Sequence, residues 1–294
     1  MEYQNTKSLS PKRVEWIDIA KGIGIVLVVF GHSGIPKLAA WWVWSFHMPL
    51  FFAISGMLFS VNRYPSLLNL IKKRNAGLMR AYFFFVFVSF VLMYFLNQAF
   101  NVKEVFLNGS GLALWFIPVL YVTEILYYSF RKYFNNKILC CFLITFALFG
   151  CYLSIFNIRF PYNFGIVFTS IVFYGFGNIA SEAIKRYLNN LDNKKATIFT
   201  FLYFTINVIF CFLNHGRLDL FKNVIGNFFY AYLSAFAGIM FVFSISYAIA
   251  KIDLALLNSL KKVFIFLGMN TLVILATHQM IKLILVKLFS DFHI

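Results

Sequence analysis

Acidic residues are the scarcest feature of this chain: ten Asp and Glu stand against twenty-six Lys and Arg in 294 residues. Charged residues together make up 12%, where a soluble globular chain carries roughly a quarter. So little polar surface cannot cover a water-soluble domain of this length. A disordered chain, which needs more charge and less apolar content, is excluded with it. Cysteine is also sparse. Cys140, Cys141, Cys151 and Cys211 lie inside apolar runs with neither a CxxC nor a zinc spacing, so a disulfide scaffold is excluded and packing is their expected role. There is no internal repeat, and no polar stretch is long enough to form an appended soluble domain.

What is abundant is apolar. Hydrophobic residues are 61% of the chain, with forty Phe, sixteen Tyr and five Trp. Apolar stretches of about twenty residues, the length that spans a bilayer, recur at 17–33, 41–59, 78–99, 112–130, 138–156, 164–183, 196–213 and 228–250. A last stretch, 263–289, is long enough for one tilted helix or for two short ones broken near His278. The expectation is an all-α polytopic membrane protein of nine or ten transmembrane helices. Residues 1–16 form an N-terminal segment, 17–289 a single transmembrane domain and 290–294 a short tail. Gly34 with Pro36, and Pro161, punctuate connections, and Pro118 is expected to kink the fourth helix. The first run contains Asp18 and Lys21 and lacks a small-residue cleavage pattern, so it reads as a span rather than a signal peptide.

A net charge of +16 would suggest a nucleic-acid partner in a soluble protein. Here the basic residues fall in clusters between apolar runs, which points to membrane topology and anionic lipid instead. Counted over alternate connections, seventeen Lys and Arg lie on one side, among them Arg13, Lys72, Lys73, Arg74, Lys132, Lys194 and Lys261. Five lie on the other: Lys37, Lys103, Arg159, Arg217 and Lys222. The positive-inside rule then places the N-terminus in the cytoplasm.

Ionisable groups inside spans are expensive, and each is a candidate for function. Lys21 and His32 are eleven residues apart, close to three helical turns, hence on one face and separated by about 16 Å along the axis. Asp18 lies in ion-pair reach of Lys21. The pair either anchors a helix end or serves a site. His47 opens the second run, with Ser55 and Gly56 two turns on, where small residues permit close helix packing. Glu124 lies in the fourth helix, and Asn270 and His278 in the last stretch. The three His fall at similar depth and either share a site or are separate polar kinks; their spacing is no metal-ligand pattern. Lys72, Lys73 and Arg74, with Arg80 just beyond, form the densest basic cluster, either topological charge or a phosphate clamp.

Several motifs together resemble the acyltransferase family 3 membrane proteins, in the style of stand-alone polysaccharide O-acetyltransferases such as fucose 4-O-acetylases. They are Asp18-Ile-Ala-Lys21-Gly22 with Gly31-His32, Phe46-His47-Met48-Pro49, Ile54-Ser55-Gly56, Leu114-Trp115-Phe116-Ile117-Pro118 with Glu124, and Leu267-Gly268-Met269-Asn270 with His278. The family signature on the first helix is Arg, ten residues, then His. Lys21 stands at the Arg position, keeping the charge and losing the bidentate fork. In the family's basic run before the third helix, Lys73 and Arg74 match the start, while Gly77 and Ala81 stand where a later Arg and Pro are expected.

The resemblance implies a bacterial inner-membrane protein that transfers an acyl group, usually acetyl, from cytoplasmic acyl-CoA to a carbohydrate hydroxyl at or beyond the outer half of the membrane. The acceptor would be capsule, O-antigen, exopolysaccharide or a lipid-linked precursor. Acetyl-CoA would be a donor substrate rather than a bound cofactor, with its phosphates on Lys21, Lys72, Lys73, Arg74 and Arg80. His32 would act as base or nucleophile, and His47 would orient substrate or stabilise the oxyanion. Asp18, Ser55, Glu124, Asn270 and His278 would support them. The alternative is a carrier or flippase for a lipid-linked sugar or small polar solute, with intramembrane His, Lys and Asp as a proton relay. The inverted repeats common in carriers are not evident.

Overall fold

A backbone in hydrocarbon has no water to bond to, so a chain this apolar must satisfy its amides within helices. The computed structural model describes residues 13–96, 112–215, 218–252 and 255–291, and among them every named element is helical. The elements are α1 (Glu15–Gly31), α2 (Lys37–Trp44), α3 (His47–Leu58), α4 (Leu67–Arg74), α5 (Arg80–Phe95) and α6 (Phe116–Arg131). They continue with α7 (Asn136–Ile155), α8 (Gly165–Asn189), α9 (Asn193–Leu213), α10 (Phe228–Lys251), α11 (Ala255–Met269) and α12 (Thr271–Asp291). Eight helical stretches are long and apolar enough to cross a membrane. The 17 residues of α1, which rise about 25 Å, fall just short of that length, and the protein is an all-α polytopic membrane protein.

Contacts fix the directions. Lys21 and Leu272 share one cavity, His32 and Gln279 another, so α1 and α12 run the same way. Alternation of the passes gathers the basic connections of α3 to α4, α6 to α7, α8 to α9 and α10 to α11 at one end of the bundle. His32 and the turn after α9 lie at the other. These are called the basic and histidine ends. Helix starts at both ends are capped: Ser66, Asn135, Asp192 and Asn227 each accept a backbone N–H from three residues on.

Small residues set the central packing. A Cβ on Gly56 would lie 1.8 Å from the Tyr174 carbonyl oxygen, and one on Gly177 1.9 Å from that of Ala53, so α3 and α8 touch backbone to backbone. The large Phe content has the opposite use. Phe83, Phe84, Phe87 and Phe95 project outward from α5, where acyl chains rather than water would meet them.

Four expectations change. The last apolar stretch breaks at Asn270, not near His278, because the Asn270 side chain bonds the Phe266 carbonyl at 2.8 Å and its backbone N–H closes α11 while α12 starts afresh. Pro118 does not kink a helix interior. It sits in the first turn of α6, after a 3₁₀ turn at Leu112–Trp115, where its missing N–H costs nothing. The third span begins at Leu67 rather than residue 78, running through α4 and a π-helical turn at Asn75–Met79 into α5, so Lys72 to Arg74 ride on a helix. The second span is broken at Ser45–Phe46, which makes His47 the first residue of α3. Of the seventeen basic residues counted on the N-terminal side, Lys7 and Lys12 lie outside the described residues, as do Lys103 and Arg217 of the opposite five and residues 292–294 of the tail.

Candidate functional site

Two cavities lie in series along α1. The larger, about 530 Å³, is at the histidine end and is lined by His32, His47, Trp44, Trp115 and Gln279, with the turn after α9. The smaller, about 180 Å³, is lined by Lys21, Ser55, Leu58, Thr271 and Leu272 among others. Met48 and Leu275 appear in both walls, so the two cavities adjoin along α1 with those two apolar side chains at their boundary.

The helix breaks create the histidine cluster. Ending α2 at Trp44 and restarting at His47 turns that imidazole inward, where it is 7% exposed. Its Nδ1 lies 2.9 Å from the Val43 carbonyl oxygen. A carbonyl only accepts, so Nδ1 carries the proton and Nε2 is the basic nitrogen of the neutral ring. His32 sits just past the last residue of α1, its own carbonyl accepting from Lys282 Nζ at 2.7 Å. Its Nδ1 faces the Gln279 amide nitrogen at 3.4 Å. An amide nitrogen only donates, so His32 has the opposite tautomer, with Nε2–H as a donor. The His278 ring is 5.2 Å from that of His32. Its Nδ1 donates to the Ile274 and Leu275 carbonyls, and its buried Nε2 has no hydrogen-bond partner. The three imidazoles are thus neighbours, and two of them face one chamber.

The cationic candidates separate into four places. Lys21 reaches the smaller cavity while pairing with buried Asp18 at 3.0 Å; Asp18 also holds Arg13 at 2.9 Å. Lys72 and Arg80 share an open groove at the basic end, about 620 Å³, with Asn75, Met79 and Tyr121. Lys73 lies over the Tyr64 ring, 5.7 Å from its centroid. Arg74 stands apart. Its Nη2 donates to Glu124 Oε1 at 2.7 Å, its Nε is 2.6 Å from Oε2, and Tyr174 donates to Oε1 at 3.2 Å. The fork that a phosphate would need is therefore taken by a carboxylate that is itself buried. Ser55 lines the smaller cavity, and Asn270 closes the break before α12.

Sequence reasoning did not single out Gln279, Trp44, Asp219, Lys222, Met48 or Leu275. Gln279 carried a usable signal, being a polar neighbour of His278 in an apolar run. Asp219 carried another as one of ten acidic residues. Met48 stands in the Phe46-His47-Met48-Pro49 motif and Lys222 among the five opposite charges, neither marked there as a site residue, and Leu275 carried no signal, since an apolar residue between two cavities looks like core. Among the described residues no group of three His, Cys, Asp or Glu could hold a metal ion.

No curated protein and no solved structure matches the chain. A family model described as an acyltransferase domain matches residues 14–294, nearly the whole length. The bundle, with its histidine chamber beside a lysine-bearing cavity, is thus a multi-pass membrane acyltransferase, and the chain belongs to acyltransferase family 3.

Proposed function

We propose that this acyltransferase carries an acyl group, acetyl in the simplest case, from cytoplasmic acyl-CoA to a hydroxyl of an exported or cell-surface carbohydrate. The observation that supports this most is the pair of adjoining cavities along α1, one lined by Lys21 and the other by His32 and His47. The donor arm enters beside Lys21, with its phosphates on Lys21, Lys72, Lys73 and Arg80. It extends past Ser55, and the thioester comes to rest beyond Met48 and Leu275. The charge asymmetry supports a cytoplasmic basic end and an inner-membrane location.

In the chamber the two tautomers divide the work. The hydroxyl oxygen attacks the thioester carbonyl carbon and its proton passes to His47 Nε2. The His32 Nε2–H stabilises the oxyanion that develops. The intermediate collapses by breaking the C–S bond, and the proton on His47 goes to the departing thiolate, leaving an O-acyl ester and coenzyme A. Gln279 holds the His32 tautomer, and His278 packs beside the ring.

The test is to incubate membranes containing the protein with radiolabelled acetyl-CoA and to follow label into alkali-labile ester on glycan. Wild type is expected to transfer, and His32→Gln and His47→Gln are expected to lose transfer while remaining inserted. Solute flux without transfer would instead favour a carrier, and near-normal transfer in either variant would remove that histidine from the chemistry.

A further inference from the structure

Residues 218–227, between α9 and α10, form a turn held both by its own bonds and by its neighbours. Asp219 and Val224 exchange both backbone hydrogen bonds at 2.9 Å, closing a tight turn. The turn is then tied to three helices. Asn223 Oδ1 accepts from Thr169 of α8 at 3.0 Å, the Ile225 N–H donates to Ser154 of α7 at 3.1 Å, and Asn214 beside α9 donates to the Ile225 carbonyl at 3.1 Å.

This turn has a cavity on each side. Leu218 to Lys222 line the histidine chamber. Asp219 and Lys222 also line a vestibule of about 620 Å³, shared with Trp41, Lys37, Asn214 and His215. Each space has an indole. Trp115 lies in the chamber wall with its ring 5.8 Å from Phe221 of the turn, and Trp41 lies in the vestibule under the Lys37 ammonium. A polar pair, a carboxylate and an ammonium, thus stands between two aromatic platforms.

We propose that this turn is the acceptor-binding element and divides the acceptor route into two sugar subsites. The proposal rests on the reading of the chamber as the transfer site. The inner subsite places a sugar ring against Trp115 with its hydroxyls on Asp219 and Lys222; the outer places the neighbouring ring against Trp41. The ring faces of pyranoses are apolar C–H surfaces that stack on indole, while vicinal hydroxyls donate to a carboxylate and accept from an ammonium. The chamber's volume lies in the range of about 300–1,000 Å³ typical of small-ligand sites. The ligand class that fits both spaces together is a glycan of at least two rings, read by a preformed backbone that loses little entropy on binding.

The test is donor-free, so it can fail separately from the acyl-transfer reading. Saturation-transfer NMR on the full chain in nanodiscs would use the methyl glycosides of glucose, galactose, mannose, rhamnose and fucose and the corresponding homodisaccharides. Wild type is expected to bind at least one disaccharide more tightly than its monosaccharide. Asp219→Asn, which keeps an acceptor for the Lys222 N–H, and Trp115→Ala are expected to weaken both by tenfold or more. Trp41→Ala is expected to weaken the disaccharide alone. Lys222→Gln, on an exposed side chain, offers a second variant with little risk to folding and should weaken the inner subsite. Binding of none of these sugars by wild type, or wild-type binding by Asp219→Asn and Lys222→Gln alike, overturns the proposal.

Discussion

Glu124→Gln should destabilise the bundle by far more than a surface charge would. The Glu124 side chain is 3% exposed, and it meets Arg74 at 2.6 and 2.7 Å and Tyr174 at 3.2 Å. Neutralising it keeps the volume but leaves a guanidinium without its counter-charge. Breaking a buried pair costs about 3–5 kcal/mol, and the 32% exposure of Arg74 puts this variant near the lower end, about 3 kcal/mol. Arg74→Gln should be worse, near the upper end, because the stranded carboxylate is the more buried partner. The double variant presents two neutral amides that can bond each other. Its cost should fall short of the summed single costs by about 2–3 kcal/mol. The assay is reversible unfolding in mixed detergent micelles, followed by tryptophan fluorescence. Additive costs within about 0.5 kcal/mol would refute the pair as a coupled unit. A raised KM for acetyl-CoA in Arg74→Gln with unchanged stability would return Arg74 to a phosphate grip.

Replacing His32 with Gln should lower kcat by roughly 10²–10³, as loss of an oxyanion donor does, and His47→Gln by roughly 10²–10⁴, as loss of a general base does; both are read from single-turnover transfer in detergent. Lys21→Gln should raise KM for acetyl-CoA about ten- to a hundredfold with kcat little changed, since a phosphate contact serves ground and transition states alike. Lys21→Arg should bind at least as well as wild type, and equal KM values in all three would leave Lys21 as an anchor for Asp18. Gly177→Val should prevent α3 and α8 from closing, because its Cβ would overlap the Ala53 carbonyl oxygen. The expected loss is about 1–3 kcal/mol or more in the same unfolding assay, whereas Gly77→Val, with open space around it, should be silent.

The placing of spans was legible because hydrocarbon imposes a length and a composition on every one of them. Depth was legible too: helical rise alone puts Lys21 and His32 about 16 Å apart on one face. Breaks were not. Pro49 is the one sign in the run 41–59 that a helix restarts nearby, and what sets the break at Ser45–Phe46 is tertiary, with Phe46 buried against the Trp42 ring and beneath Gly238 of α10. The Arg74–Glu124 pair links residues fifty apart in sequence, and a basic cluster read alone gives no sign that one member has a private carboxylate. The turn at Asp219–Val224 was unreadable for a similar reason. Its own bonds close it, but its place in the bundle comes from Thr169 and Ser154 on other helices.

The central claim is that the acyl group enters at the basic end and leaves at the histidine end. Sealed membrane vesicles of both orientations, each given radiolabelled acetyl-CoA from outside, test it directly. Inside-out vesicles, on which the proposed orientation exposes the Lys72–Arg80 face, are expected to deposit label on glycan protected within the lumen, and His32→Gln vesicles to deposit none. Right-side-out vesicles should stay unlabelled until permeabilised. Labelling of intact right-side-out vesicles at the rate of inside-out ones would contradict the account, because the donor would then be entering from the histidine end.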